Sequence, residues 1–238
     1  MAVLSIIIPA FNEEKTIINI LNKVLLCSLP SGIERELVVV NDHSTDNTAM
    51  LIEQYIQENK QTRIRYIFHE KNMGKGAAIH SGINHANGDF IIVQDADLEY
   101  DPEEYSLLLK PMLNGQADVV YGSRFMGGNP HRILFFWHSI GNKFLTFFSN
   151  MLTNLNLTDM ETCYKLFKSD IIKSLKLKEK RFGFEPEVTA KVSKIPGIRI
   201  YEVGISYYGR QYSEGKKINW KDGFRALYCI LKYNIWAK

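Results

Sequence analysis

Short β-branched runs alternate with helical apolar periods through the first half of this chain, and no other feature narrows its fold so far. Residues 4–8, 36–40, 64–68, 89–93 and 118–121 have the length, the Val/Ile content and the flanking turn residues of buried strands. Between the first two, Ile17, Ile20, Leu21, Val24 and Leu25 recur at helical spacing, with Asn12 as the expected N-cap and Glu13 and Glu14 in the expected first turn. Ser44 or Thr45 is the expected cap of a second helix whose apolar face is Leu51, Ile52, Tyr55 and Ile56, and a third helix is expected after Gly74. Strand and helix in turn predict an α/β fold, a mostly parallel sheet flanked by helices. After residue 122 the pattern weakens into an aromatic helical stretch and a basic C-terminal region, with no linker or repeat to divide the 238 residues into two domains.

Sheets of this kind bind ligands beyond the carboxyl ends of their strands, which directs attention to the polar segments placed there. These are residues 9–14, 41–46 and 94–97. In the last of them, Asp95 and Asp97 follow an apolar strand two residues apart. Two hard oxygen ligands, completed by water and phosphate oxygens, suit Mg²⁺ or Mn²⁺. The tripeptide alone also reads as an acidic turn ending a strand, but Glu99 and Asp101 crowd further negative charge there, and such a cluster repels itself without a cation.

Five segments in this order and spacing, Pro9-Ala-Phe-Asn-Glu-Glu14, Asn41-Asp-His-Ser-Thr-Asp-Asn-Thr48, Asn72-Met-Gly-Lys-Gly76, Gln94-Asp-Ala-Asp97 and Gly122-Ser-Arg124, resemble family 2 glycosyltransferases of the GT-A fold. The similarity is greatest to the dolichyl- or polyprenyl-phosphate hexose synthases and runs over roughly residues 3–217. It implies a nucleotide-diphospho-sugar transferase fold, an inverting hexosyl transfer from a UDP- or GDP-sugar to a polyprenyl phosphate, and Mg²⁺ or Mn²⁺ on Asp95 and Asp97. It further implies that residues 1–122 form the nucleotide-sugar half, with Pro9, Ala10, Asn12, Glu13, Asp42, Lys75, Asp95, Ala96, Glu185, Arg210 and Lys217 at the donor. Residues 123–238 then form the acceptor-binding and membrane-facing half. Asn41 stands where the family has the first of two aspartates, which moves weight onto Asp42. Lys75, flanked by Gly74 and Gly76, reads either as a diphosphate ligand or as a solvated lysine at a helix start. Asp97 is the more direct metal position and the first choice for a lethal substitution.

Asp159-Met-Glu-Thr-Cys-Tyr-Lys165 occupies the place of the family's Asp-x-x-Ser-Gly-Phe-Arg segment; Asp159 matches, and Lys165 replaces an arginine with loss of bidentate geometry. Glu185 matches a later sugar-site glutamate, or else is a surface carboxylate paired with a lysine. Arg210 with Lys216 or Lys217 would supply cations to the diphosphate. For the acceptor phosphate the matching position is Arg124, followed by Arg132 with His131 as rival, and Ser139. A phosphate acceptor is already ionised and needs no protein base. A hydroxyl acceptor, on a lipid or polysaccharide, would need one, and Asp159 or Glu161 is then the candidate. Asp97, Asp159 and Arg124 are the expected catalytic residues. A nucleotide-binding scaffold without turnover is the non-enzymatic alternative, against which the intact Asp95-Ala-Asp97 speaks.

Charge is unevenly distributed. Residues 1–163 hold 12 Lys and Arg against 19 Asp and Glu, and residues 164–238 hold 17 against 7. The acidic part suits a cation and the basic part suits phosphates or an anionic membrane face. One basic loop without a nucleic-acid fold argues against nucleic acid, and neither a P-loop nor a dinucleotide glycine pattern occurs. Cys27, Cys163 and Cys229 lack the pairing or spacing of a disulfide or zinc framework, as expected in a reducing cytoplasm, and the N-terminus does not read as a secretory signal. Residues 133–152 are strongly aromatic but regularly interrupted by polar side chains, as is the C-terminal stretch with Phe224, Tyr228 and Trp236. Both suit an interfacial helix on the inner face of a membrane; packing on one another or homodimerisation are the other uses.

Overall fold

A computed structural model describes residues 1–127, 130, 132–133, 135–210 and 220–236. Its centre is a seven-stranded sheet in the order β3-β2-β1-β4-β6-β5-β7. The strands are β1 (Ala2–Ala10), β2 (Ile33–Asn41), β3 (Ile64–Phe68), β4 (Phe90–Val93), β5 (Val119–Ser123), β6 (Lys165–Lys168) and β7 (Ile200–Gly204). Only β6 runs against its neighbours, pairing antiparallel with both β4 and β5, while every other pair is parallel. The fold is therefore the mostly parallel α/β arrangement expected from the alternation, in the GT-A-like form that the resemblance implies.

Between the strands lie α1 (Ile17–Leu26), α2 (Thr48–Glu58), α3 (Lys75–His85), α4 (Tyr105–Leu113), α5 (Phe136–Thr153), α6 (Ser169–Ser174), α7 (Phe184–Val192) and α8 (Trp220–Leu231). The expected apolar face of α1 is the one that is buried: Ile17, Ile20, Leu21 and Val24 meet the sheet. Central strands read as continuous apolar runs because helices cover both faces, so Ile6, Ile7, Ile8, Val38, Val39 and Ile92 are all buried.

The expected caps fall elsewhere. Asn12 does not cap α1, which begins after Thr16; instead Asn12 adopts φ 54° and its Oδ1 accepts from the backbone N–H of Thr45 at 2.8 Å. Neither Ser44 nor Thr45 caps α2. The N-cap is Asn47, without a side-chain cap bond, and Asp46 before it accepts through Oδ1 from the Thr48 N–H at 3.0 Å and the Thr48 hydroxyl at 2.6 Å. The residues that looked like caps are spent on tying two loops together: the Asn12 N–H donates to Ser44 Oγ at 3.0 Å and the Glu13 N–H to Thr48 Oγ1 at 2.9 Å. Two strands also lie beyond the point where the sequence pattern weakens. β6 is short, and β7 is a half-buried edge with an alternating run, so neither has the apolar continuity that marks β1 and β2.

Candidate active site

The ends of β1, β2 and β4 bring the three polar segments to one edge of the sheet, as the parallel register requires. Asp95 and Asp97 follow β4, and each carboxylate meets a cation from another part of the chain. Both oxygens of Asp95 lie 2.8 Å from Lys75 Nζ. Asp97 Oδ2 accepts from Arg210 Nη2 at 2.8 Å. Lys75 is thus a half-buried partner of the aspartate, not a solvated lysine.

Its position depends on the glycines beside it. Gly74 has φ +96°, and a Cβ there would stand 2.5 Å from the Lys180 carbonyl oxygen; a Cβ on Gly76 would collide with the Glu179 carbonyl. The tight packing of this turn on residues 179–181, sealed by the Ala77 N–H donating to Lys180 O at 3.0 Å, aims Lys75 at β4.

Asp42 has a related structural task. It is 2% exposed, and its carboxylate accepts from the N–H of Met73 at 2.9 Å and of Gly74 at 2.7 Å, with His69 Nδ1 at 2.7 Å. These contacts of Asp42 shape the glycine turn. Asn41 is likewise occupied internally, accepting from the Ser44 N–H at 2.9 Å and donating to Tyr66 Oη at 3.1 Å.

Around Asp97 the charge is dense. Burial first, then the carboxylates of Asp95 and Glu99, push its carboxyl up to about 7, against the pull of Arg210. Glu99 holds the strap that carries Arg210: it accepts from the Arg210 N–H at 2.8 Å and from the Tyr207 hydroxyl at 2.6 Å. Glu13 adds a further negative charge near Arg210. Pro9 and Ala10 end β1 beside these groups, and Ala96 is buried between the two aspartates in sequence.

A second cluster is built from the strand β6 segment. Asp159 is fully buried and gripped by Arg124, with Nε to Oδ2 at 2.7 Å and Nη2 to Oδ1 at 2.8 Å, while Asn142 of α5 donates to Oδ1 at 3.2 Å. Glu202 of β7 steadies this carboxylate's backbone by accepting from the Thr158 and Asp159 N–H groups. Arg124 also lies over the Tyr207 ring at 5.2 Å, which connects the cluster to the Arg210 strap. Glu202, Asn142 and Tyr207 carry no motif and were not foreseen; the only signal was a polar residue interrupting an apolar period.

Next to it, Glu185 is 7% exposed and Lys165 1% exposed, so the surface-carboxylate reading of Glu185 does not hold. Glu161 has one carboxyl oxygen buried with no hydrogen-bond partner among the described residues. Burial and then the Glu185 charge push the Glu161 carboxyl up to about 8, and burial draws Lys165 down. The Cys163 thiol is raised by burial and by Asp95, which keeps it protonated. Arg132 donates through Nη1 to Gly209 O at 3.0 Å and through its N–H to Tyr207 O at 2.8 Å, so it too fastens the 205–210 strap. Ser139 lies half-buried in the first turn of α5. Lys216, Lys217 and His131 lie outside the described residues.

Paired carboxylates and two cations thus meet beyond the carboxyl ends of the parallel strands, the edge at which sheets of this kind take their ligands. The sequence matches the model of the family described as Glycosyl transferase family 2 over residues 5–176. The chain belongs to that family and is a glycosyltransferase. It is 26% identical over 213 residues to a dodecaprenyl-phosphate galacturonate synthase of Rhizobium johnstonii, covering 90% of this chain and 61% of that one. The chain therefore spans less than two thirds of that relative's length. A UDP-N-acetylglucosamine–dolichyl-phosphate N-acetylglucosaminyltransferase of Methanococcus voltae is 28% identical over 243 residues, covering 95% of this chain and 94% of the relative. Among solved structures, glucosyl-3-phosphoglycerate synthase of Mycobacterium tuberculosis with Mn²⁺, UDP and glucosyl-3-phosphoglycerate shares the fold at a TM-score of 0.72 and 19% identity, over 98% of this chain and 80% of that one.

Proposed function

We propose that this enzyme transfers a hexose from a UDP- or GDP-sugar to the phosphate of a polyprenyl phosphate at a membrane surface, with inversion at the anomeric carbon. The observation that carries the reading is the meeting of a carboxylate pair with two cations at the sheet edge. Asp95 and Asp97 suit a hard divalent ion, and Lys75 and Arg210, each 2.8 Å from one of those carboxylates, suit the two phosphates that would bring that ion.

The residues fit such an ion: a carboxyl held up to about 7 by burial and then by its carboxylate neighbours gains from a cation beside it. When bound, Mg²⁺ or Mn²⁺ on Asp95 and Asp97 would neutralise charge on the departing diphosphate. Lys75 and Arg210 then turn from carboxylate to phosphate oxygens and hold the leaving group in place. Arg124 receives the acceptor phosphate, and Asp159 keeps its guanidinium aimed. One phosphate oxygen forms the new bond to the anomeric carbon as the bond from that carbon to the diphosphate breaks on the opposite face. The acceptor oxygen is ionised at neutral pH, so no side chain has to take a proton. That agrees with Asp159, whose oxygens are engaged by Arg124 and Asn142, a poor arrangement for a base acting on a hydroxyl.

The relatives named for dodecaprenyl and dolichyl phosphates support the acceptor class. Exposed Phe136, Trp137, Phe144 and Phe147 along α5 support the membrane surface; among the described residues no helix is long and apolar enough to cross a bilayer. The test is purified protein with a panel of nucleotide sugars, Mg²⁺ or Mn²⁺, and polyprenyl phosphate, with product identified by mass. A glycosyl phosphoryl polyprenol is the expected product; sugar transfer to alcohols alone would overturn the acceptor assignment.

A further inference from the structure

On the far side of the glycine turn from Asp95 lies a cavity of about 500 Å³ lined by Met73, Lys178, Glu179, Lys180, Arg181, Phe182, Asp222, Arg225 and Lys232. Five of those side chains are cationic and two anionic, so the cavity is strongly positive. The balance is not settled internally. Glu179 is buried and accepts from Lys232 Nζ at 2.9 Å, from the Tyr233 hydroxyl at 2.8 Å and from Arg225, which commits Arg225 and Lys232 to one carboxylate. Lys178, Lys180 and Arg181 are exposed, and among the described residues no ion pair is formed by their side-chain cations; the Glu187 carboxylate takes only the Lys178 backbone N–H.

The cavity opens beside an aromatic surface. On α8 and the turn after it, Phe224, Tyr228, Ile235 and Trp236 are 67%, 46%, 54% and 62% exposed. Tyr228 joins the two regions: the guanidinium of Arg225 stands 5.3 Å from its ring and Lys232 Nζ 5.8 Å. α8 packs against α5, whose own aromatic side chains are also exposed. Cations gathered at the edge of an exposed aromatic face is the arrangement that lets apolar rings enter the acyl boundary while the charges stay at the depth of lipid phosphates.

We propose that this cavity seats the phosphate of an anionic glycerophospholipid headgroup and so fixes the α5 and α8 faces on the membrane. The inference rests on the membrane-surface reading above but assigns a separate site, on Lys178, Lys180 and Arg181 rather than on the reacting groups. Its volume admits a glycerophosphate headgroup, and its excess positive charge matches a phosphodiester.

The test is co-sedimentation of the intact protein with vesicles of phosphatidylcholine alone and of equal parts phosphatidylcholine and phosphatidylglycerol. Wild type is expected to favour the anionic vesicles, with the preference weakened by salt. Lys178→Ser with Lys180→Ser is expected to lower that partition roughly 25-fold, about fivefold for each cation near the surface. Lys178→Arg with Lys180→Arg keeps the charge and is expected to retain it, which separates charge loss from misfolding. Equal binding of the serine variant and wild type would overturn the proposal, as would equal binding to the two vesicle types. Displacement from anionic vesicles by inorganic phosphate at matched ionic strength would indicate a free-anion site and overturn it too. A serine variant that keeps vesicle binding but raises KM for polyprenyl phosphate would assign the cavity to the acceptor instead. Whether wild type glycosylates detergent-dispersed polyprenyl phosphate is read separately, so loss of the functional reading is distinguishable from loss of this one.

Discussion

Asp97 concentrates the chemistry at the scale of single residues. Asp97→Ala should leave the melting temperature close to that of wild type and abolish transfer, because the carboxyl lies at the sheet edge and its partner cation among the described residues, Arg210, is also held by Glu99. Normal turnover in that variant would disprove the metal assignment. A pH dependence follows from the same group. Its ordinary value is 3.8, and the folded protein holds the proton up to about 7. Below that pH a cation must displace the proton, so apparent affinity for Mg²⁺ with nucleotide should rise as pH climbs toward 7 and level off above it. Calorimetry in buffers of different ionisation enthalpy checks this: proton release on binding is expected at pH 6 and should fade by about pH 8. Asp95, Asp97, Lys75 and Arg124 were legible in the sequence because their chemistry is tied to short spacings. Asp42 shows the converse. The motif marks it, but what it touches depends on a glycine turn thirty residues downstream, brought to it by the β2-β3 pairing.

Among the elements, the segment before α7 meets α8 and the turn that follows it through the buried carboxylate of Glu179. Burial alone would raise Glu179, but hydrogen bonds from Lys232, Arg225 and Tyr233 outweigh it and hold the carboxyl down at about 2. A carboxyl depressed on folding stabilises above its ordinary value of 4.5 and loses that contribution as pH falls toward 2. Glu179→Gln should therefore cost about 3 kcal/mol at pH 7 by thermal melts, and the gap to wild type should close in acid. An equal gap at every pH would mean that packing, and not charge, joins α8 to the body. On α5, Phe144→Ser with Phe147→Ser should leave the melt nearly unchanged, since both rings are more than half exposed, and should impair use of long-chain polyprenyl phosphate over a short, water-soluble analogue. Equal use of both acceptors would remove α5 from the membrane contact. The helices α1 and α2 were legible from apolar period, α3 from its place after Gly74, and β1 to β5 from β-branched runs. β6 and β7 were not, because a four-residue strand between two others needs no apolar signature of its own: Leu166 and Phe167 are buried by their neighbours.

Across the whole molecule, the uneven charge has a structural counterpart. The acidic part supplies Glu13, Asp95, Asp97 and Glu99 to the crevice, and the basic part returns Arg210 to it and lines the cavity under α8. Sequence alone determined the α/β alternation, the strand ends that carry the polar motifs and the aromatic stretches, because each is a local pattern of period, β-branching or short spacing. Only tertiary structure decided which charges meet. Arg124 and Asp159 are 35 positions apart, Asp97 and Arg210 are 113, and a cap predicted from adjacent residues gave way to a loop-to-loop bond between Asn12 and Thr45. Pairing energies at that range depend on burial and on the path of the backbone between partners, and neither is written in the composition of any one segment.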